Sequence, residues 1–419
     1  MRIKKLGAIF LSCAIFLSVF GAAQPLAAAA QKKGNRYPIV LCHGNAGWGR
    51  DEMLGYRYWG GLVDLQKKMN DAGYLTYTSA VGPFSSNWDR ACELYAYIKG
   101  GTVDYGKAHS EEYGHARYGR TFPGLYPEWG TETDGKINKV HLIAHSQGGQ
   151  NTRMLIQLLE EGSEEEQEAA PADLSPLFEG GKSWVASLTT LAAPHDGTTL
   201  ADVDIYKLKD FATYTISAAA AAVGKGKEPV FDFKLDQWGL KRERGECYAH
   251  YANRVFNSSI WNDDIRDFSF WDLSTAGASA ENAWVTAKDD VYYFSYAACA
   301  TKREPLTGRQ VGQPLVMNPV LFPPAAVIGR FTRSGEEEPD IDRSWWPSDG
   351  IVNTVSASGP KINSTDEIVD FSGTPQIGKW NYMGIQNMDH MAVVGIGKYS
   401  VTNLYLTIAR RVCGLPVVS

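Results

Sequence analysis

The chain has 419 residues, with 41 Lys and Arg against 47 Asp and Glu and a formal net charge of -6. That length allows a large core, either as two domains or as one elaborated α/β domain. The mild acidity, with no basic cluster interleaved with aromatics, argues against nucleic acid as a partner. The first thirty residues read as a secretory signal peptide. Arg2, Lys4 and Lys5 form a basic start, Leu6 to Gly21 an apolar stretch, and Ala22 to Ala30 a small-residue cleavage region. The expectation is an exported protein whose mature part, 31–419, is a single domain with no membrane-spanning run. Cys13 falls in the signal. Cys42, Cys92, Cys247, Cys299 and Cys413 are scattered with no Cys-x-x-Cys pair, which excludes a disulfide scaffold. Cys42 and Cys299 sit in apolar runs and are expected as buried thiols, with one bridge left open.

Along the mature chain, Pro38 to Cys42 reads as a buried strand that delivers His43-Gly44-Asn45 to a loop. A helix is expected over Trp59 to Ala72, a strand over Tyr74 to Val81, and a helix over Ser85 to Tyr97. Gly100 to Gly130 is rich in Gly, His and Tyr, has little periodicity, and is too long for a plain connection, so it is expected as a functional insertion. Val140 to Ala144 is a strand, followed at once by a helical pattern through Met154, Leu155, Leu158 and Leu159. Gly162 to Ala172 reads as an acidic, exposed loop and Val185 to Ala192 as another strand. Val203 to Val223 has helical spacing with an alanine-rich surface (Ala218 to Ala222). Val291 to Ala297 reads as a strand and Val401 to Cys413 as a terminal helix. Strands separated by helices predict a mostly parallel sheet with helices on both faces.

The junction Ala144-His-Ser-Gln-Gly carries the chemistry. A strand running into a serine between small residues, then a helix, is a nucleophile elbow with Ser146 at its tip. Ala144 stands where the usual pattern has glycine. The requirement is steric, because small residues at 144 and 148 let strand and helix approach. A serine hydroxyl needs a base, and the base needs a carboxylate. Elbow hydrolases order these as Ser, acid, His. Three histidines follow Ser146. His195, in a Pro-His-Asp-Gly turn, reads as a brace for its loop. His250 lies in a Tyr- and Arg-rich helical stretch. His390, near the C-terminus in a loop before an apolar segment, is the expected base. Asp349, in a polar turn opening into Ile351-Val352, is the expected carboxylate. Asp342, Asp366, Asp370 and Asp389 remain as alternatives, each more easily read as a solvated charge. The backbone amides of Gln147 and of Asn45 are the expected oxyanion donors. His109 and His115, six apart, are by themselves a weak metal signal and read more readily as solvated loop residues.

These residues carry a resemblance. Gly47-Trp-Gly-Arg, Tyr58-Trp-Gly-Gly, Ser85-Ser-Asn-Trp-Asp-Arg-Ala-Cys, Ala144-His-Ser-Gln-Gly-Gly-Gln, Pro194-His-Asp-Gly-Thr-Thr-Leu, Asp232-Phe-Lys-Leu-Asp-Gln-Trp-Gly-Leu, Asp349-Gly-Ile-Val-Asn and Asp389-His390 span nearly the whole mature chain. It resembles the secreted thermoalkalophilic lipases of Bacillus and Geobacillus and is similar to the staphylococcal lipases. The resemblance implies an α/β-hydrolase fold, triacylglycerol hydrolysis at an oil–water interface and a Ser146, Asp349, His390 triad. It implies a lid helix at about 203–223. It also implies a structural Zn2+ held by Asp89, His109, His115 and Asp267, with Asp264 as a fallback, tethering the insertion at about 100–130. Two departures stand out. The family's calcium ligands correspond here to Ala392, Gly397 and Lys398, leaving only the backbone of Gly329, so no calcium site is expected. Asn45 replaces a bulky aromatic, which changes the acyl pocket. The rival readings are a phospholipase or soluble-ester carboxylesterase of the same mechanism, a non-catalytic lipid- or surface-binding protein on a hydrolase scaffold, and a metallohydrolase using His109 and His115.

Overall fold

The computed structural model describes residues 34–203, 231–262, 265–335 and 339–417. The expected signal peptide, all but the first residue of the expected lid, and Asp264 lie outside these residues. In chain order the elements are β1 (Ile39–Cys42), α1 (Leu65–Asp71), β2 (Thr76–Thr78), α2 (Asn87–Lys99), β3 (Gly101–Asp104), α3 (Lys107–Tyr113), β4 (Tyr118–Phe122), β5 (Glu132–Thr133), β6 (Lys136–Ile137), β7 (Val140–His145), α4 (Gln147–Glu161), α5 (Glu164–Ala169) and β8 (Val185–Leu191). Then follow α6 (Tyr248–Phe256), α7 (Ser269–Leu273), α8 (Thr275–Asn282), β9 (Tyr292–Ala298), β10 (Thr301–Arg303), β11 (Gln310–Gly312), α9 (Phe322–Ile328), β12 (Ile368–Asp370), β13 (Trp380–Gln386) and α10 (Thr402–Cys413).

Seven strands form one sheet in the order β12-β13-β9-β8-β7-β1-β2, and every pairing in it is parallel. β1, β7, β8 and β9 are buried along their length because both faces of the sheet are covered. Side chains alternate across the sheet. Ile39 and Leu41 pack on one side with Leu65 and Met69 of α1 and Tyr405 and Ile408 of α10. Val40 and Cys42 pack on the other with Leu94 of α2 and Leu155 and Leu158 of α4. Register sets Cys42 beside Ala144, and Ala144 beside Thr190. The loops leaving β1, β7 and β8 therefore emerge together at the carboxyl edge of the sheet, where parallel α/β sheets bind ligands.

The structure corrects several expectations. The helix expected from Trp59 begins only at Leu65, because Asp64 caps it by accepting from the Lys67 amide at 2.9 Å and Gly60 and Gly61 hold turns with positive φ. The strand near Tyr74 shortens to three residues. The acidic stretch 162–172 is no exposed loop. Ser163 caps α5, and Glu166 is buried against α3. Cys299 is half-buried, whereas Cys42 is buried, and all five cysteines from Cys42 onward are free thiols. The insertion is folded, with β3 and β4 paired antiparallel around α3. Asp389 is buried, not solvated, and accepts from the backbone N–H groups of Asn318, Met391 and Ala392. Asp366 accepts from Ala287 N–H and Trp380 Nε1. Among the described residues no helix is long and apolar enough to cross a membrane.

Candidate functional site

Ser146 joins β7 to α4 with φ 57° and ψ -136°, a conformation that L-residues rarely adopt. Two contacts explain the small residues around it. A Cβ on Gly148 would lie 2.5 Å from the carbonyl oxygen of Cys42, and one on Gly44 would lie 2.4 Å from the Ser146 Cβ. Glycine at 44 is what lets the loop after β1 press against Ser146, and it sets Asn45 beside the start of α4. The buried Arg90 guanidinium holds that loop by donating to the carbonyls of His43 (2.5 Å) and Gly82 (2.7 Å) and to Asn151 Oδ1 (3.1 Å).

Asp349 and His390 meet as expected. Asp349 is 1% exposed, and its Oδ1 accepts from the N–H groups of Ile351 (2.9 Å) and Val352 (2.8 Å). That fixes the carboxylate and leaves Oδ2, which lies 2.8 Å from His390 Nδ1. The backbone repeats the link, with His390 N–H donating to the Asp349 carbonyl at 3.1 Å. The His390 ring lies against that of His145, the residue before Ser146, with centroids 4.5 Å apart. His195 does brace its loop. It is buried, its Nε2 is 3.0 Å from Thr190 Oγ1, and its carbonyl accepts from Asn282. His250 is exposed and pairs with Glu246.

Tyr58 and His145 form a link that the sequence did not reveal. Gly44 N–H donates to the Tyr58 hydroxyl at 3.0 Å, that hydroxyl lies 2.6 Å from His145 Nδ1, and His145 Nε2 lies 2.9 Å from the His390 carbonyl. A carbonyl only accepts, so His145 donates from Nε2 and accepts from the tyrosine at Nδ1. Burial, then the neighbouring His390, push the His145 pKa well below the usual range, consistent with a neutral ring. The relay joins the loop after β1, the elbow and the His390 loop. Its only sequence trace is Tyr58 within Tyr-Trp-Gly-Gly.

A second cluster gathers residues from the first turn of α2, from α3 and from the segments after α3 and before α7. Asp89, His109, His115 and Asp267 offer ligand atoms all within 4.8 Å of one another. His109 Nε2 is 3.4 Å from Asp89 Oδ1 and 3.2 Å from Asp267 Oδ1, and His115 Nε2 is 3.1 Å from Asp267 Oδ2. Two nitrogens and two carboxylates at about 2.0–2.2 Å from a tetrahedral ion would be separated by about 3.3 Å. Asp89 Oδ1, both Asp267 oxygens and both Nε2 atoms are buried with no hydrogen-bond partner, as expected of atoms directed at a cation. His115 Nδ1 lies 3.0 Å from the Ala116 carbonyl, which fixes the tautomer that leaves Nε2 free, and Asp89 Oδ2 accepts from Gln237 Nε2 at 2.8 Å. Burial alone would lower His109, but the two carboxylates hold it up at about 10. These residues fit a metal ion. Asp267, not Asp264, is the fourth member within the described residues. Gln237 was not foreseen from sequence.

A parallel sheet covered on both faces, with a strained serine between strand and helix and a His–Asp pair arriving late in the chain, defines an α/β-hydrolase. A family profile described as "Lipase-like, C-terminal domain" matches residues 35–404. Lipase 1 of Staphylococcus aureus is 35% identical over 372 residues, covering 85% of this chain and 51% of that protein. Among solved structures, EstA from Clostridium botulinum aligns with a TM-score of 0.87 at 49% identity, over 94% of this chain and 90% of that one. Lipase 1 from Pelosinus fermentans aligns at 0.85 and 55%, over 91% and 100%. Staphylococcus hyicus lipase aligns at 0.73 and 32%, over 91% and 97%. The chain belongs to the lipase-like family, which bears out the resemblance read from its motifs. It spans about half the length of the staphylococcal relatives it matches.

Proposed function

We propose that this protein is a secreted triacylglycerol lipase, its mature part a single domain over 31–419. The observation that carries this reading is the Asp349–His390 pair, held by backbone and side chain against the ring of His145, the residue before a serine in an elbow conformation. His390 Nδ1–H donates to Asp349 and leaves Nε2 as acceptor. Ser146 Oγ attacks the ester carbonyl as its proton passes to that Nε2. The oxyanion accepts from the backbone amides of Asn45 and Gln147. His390 then protonates the departing alcohol, and Asp349 stabilises the imidazolium. A water molecule gives its proton to the same nitrogen, attacks the acyl-serine and releases the fatty acid, restoring the Ser146 hydroxyl.

Asp89, His109, His115 and Asp267 would hold Zn2+. With all four positions filled by protein, the ion ties the 100–130 insertion to the chain near Asp267 and takes no part in the reaction. The segment at about 203–223 would serve as the lid that opens at an oil surface.

The test compares hydrolysis of emulsified long-chain triglyceride, phospholipid and a dissolved short-chain ester by the wild type and Ser146→Ala, alongside labelling with a fluorophosphonate probe. The expected result is preference for the emulsified triglyceride, labelling of the wild type alone, and loss of at least about 10³-fold in turnover for the variant. Preference for phospholipid or for the dissolved ester would reassign the substrate and keep the mechanism. An unlabelled wild type would leave a binding protein on a hydrolase scaffold.

A further inference from the structure

The side chains of the two expected oxyanion donors are hydrogen-bonded to the two segments that carry the acidic members of the metal cluster. Asn45 Nδ2 donates to Ser269 Oγ at 2.8 Å and reaches Gln147 Oε1 at 3.3 Å. Gln147 Nε2 in turn donates to the Ser85 carbonyl (3.1 Å) and to Asn87 Oδ1 (3.2 Å). The side chains of both expected oxyanion donors are thus anchored on two segments, 84–89 and 267–272. Those segments are joined by Ser269 N–H donating to the Phe84 carbonyl at 3.0 Å and by Asn87 N–H donating to Asp272 Oδ2 at 2.5 Å. Ser269 is fully buried and stands two residues after Asp267. Asn87 is 1% exposed and stands two residues before Asp89. Each segment therefore carries one acidic member of the metal cluster and one anchor of the oxyanion hole.

The geometry points to Asn45 as a positioning residue that, through Ser269, hangs the oxyanion loop on the metal-bearing segments, so that an ion between Asp89 and Asp267 sets the alignment of the two oxyanion amides. The inference rests on the proposed roles of Ser146, Asn45 and Gln147. The physical reason is coordination. An ion held at once by Asp89 and Asp267, whose ligand atoms lie within 4.8 Å of each other, would fix the two segments to one point, and its removal takes that shared anchor away. Oxyanion donors act only if fixed to within a few tenths of an ångström, so a small shift reaches the amide of Asn45.

The experiment measures binding of a phenylboronic acid by calorimetry. Boron accepts Ser146 Oγ, becomes tetrahedral and places an oxygen at the oxyanion donors, while the serine proton passes to His390. Wild type, Asn45→Ala and Ser269→Ala are each measured with Zn2+ and after chelation, at a temperature below every melting point. The expected result is at least about tenfold weaker boronate binding by the chelated wild type, with kcat on a dissolved ester falling and KM little changed. In both variants chelation should weaken binding less than about threefold, because the bridge is already cut. Chelation should lower the melting temperature of all three equally, since the metal's own tether is intact in each. Equal weakening in all three proteins, or none in the wild type, would overturn the bridge. Failure of the Zn2+-loaded wild type to bind boronate at all would instead remove Ser146 as nucleophile, and the inference with it.

Discussion

Ser146 joins its proposed role as nucleophile to backbone strain. Its φ of 57° with ψ of -136° belongs to a region open to glycine and costly for residues with a Cβ. The surroundings impose it. Gly44 and Gly148 crowd the turn from both sides, and the Ser146 amide is tied to the Leu191 carbonyl at 3.1 Å. Two substitutions separate strain from chemistry. Ser146→Ala removes the hydroxyl and keeps the strained Cβ, whereas Ser146→Gly removes both. The expected outcome in urea unfolding is that Ser146→Gly is more stable than Ser146→Ala by about 1 kcal/mol, though glycine normally costs entropy in the unfolded chain. Neither should hydrolyse ester. Equal stability of the two would mean that the turn carries no strain.

At the scale of elements, α5 shows how a connection sustains the metal cluster. The first amides of α3 have no partners within their own helix. Glu166 supplies them from α5, with Oε2 accepting from Ala108 N–H at 3.0 Å and Oε1 from His109 N–H at 2.8 Å. The carboxylate therefore holds the backbone of a metal-cluster histidine. Glu166→Ala leaves those half-buried amides without their acceptors, and the expected cost is about 1–2 kcal/mol of stability. A loss of about 10- to 100-fold in Zn2+ affinity should accompany it, read by competition with a chromogenic chelator. Unchanged affinity would uncouple α5 from the cluster. The sequence concealed this contact because Glu164, Glu165, Glu166 and Glu168 look alike as a charge run, and burial of one of them depends on α3, more than fifty residues earlier. The elbow was legible because its logic is local: apolar run, small residues, serine, helical spacing. Asp349 and His390 were legible from chain order and turn chemistry. Asp89 and Asp267 were not legible from spacing, since only the folded chain brings them to His109 and His115, and they came from resemblance alone. Tyr58 showed only as part of Tyr-Trp-Gly-Gly, with nothing to mark its partners, because a relay through three loops has no local signature.

The whole molecule carries a set of buried neutral histidines, and they link its stability to pH. Burial pushes His43, His145 and His195 well below the usual imidazole range and His141 down to about 3. His141 shows what they hold. It sits in β7 with Nδ1 2.8 Å from Ser187 Oγ of β8 and Nε2 2.9 Å from Asn35 Oδ1, and Asn35 Nδ2 donates to the carbonyls of Val412, in the last turn of α10, and of Leu415 just beyond it. One imidazole thus joins both ends of the described chain to the centre of the sheet. Below pH about 6.5 the unfolded chain binds a proton at this residue and the folded one does not, so its contribution is complete above that pH and declines on acidification towards about 3. Buried acids such as Glu93, raised to about 7 by burial, act in the opposite sense over part of the same range, so the wild-type curve alone would not separate them. Comparison with His141→Gln does, because glutamine can bond to Ser187 and Asn35 without titrating. Between pH 7.5 and 5.0 the wild type should lose about 2 kcal/mol more than the variant in urea unfolding. Parallel pH dependence in the two proteins would mean that the imidazole is protonated in the fold, and that Ser187 and Asn35 both accept from it.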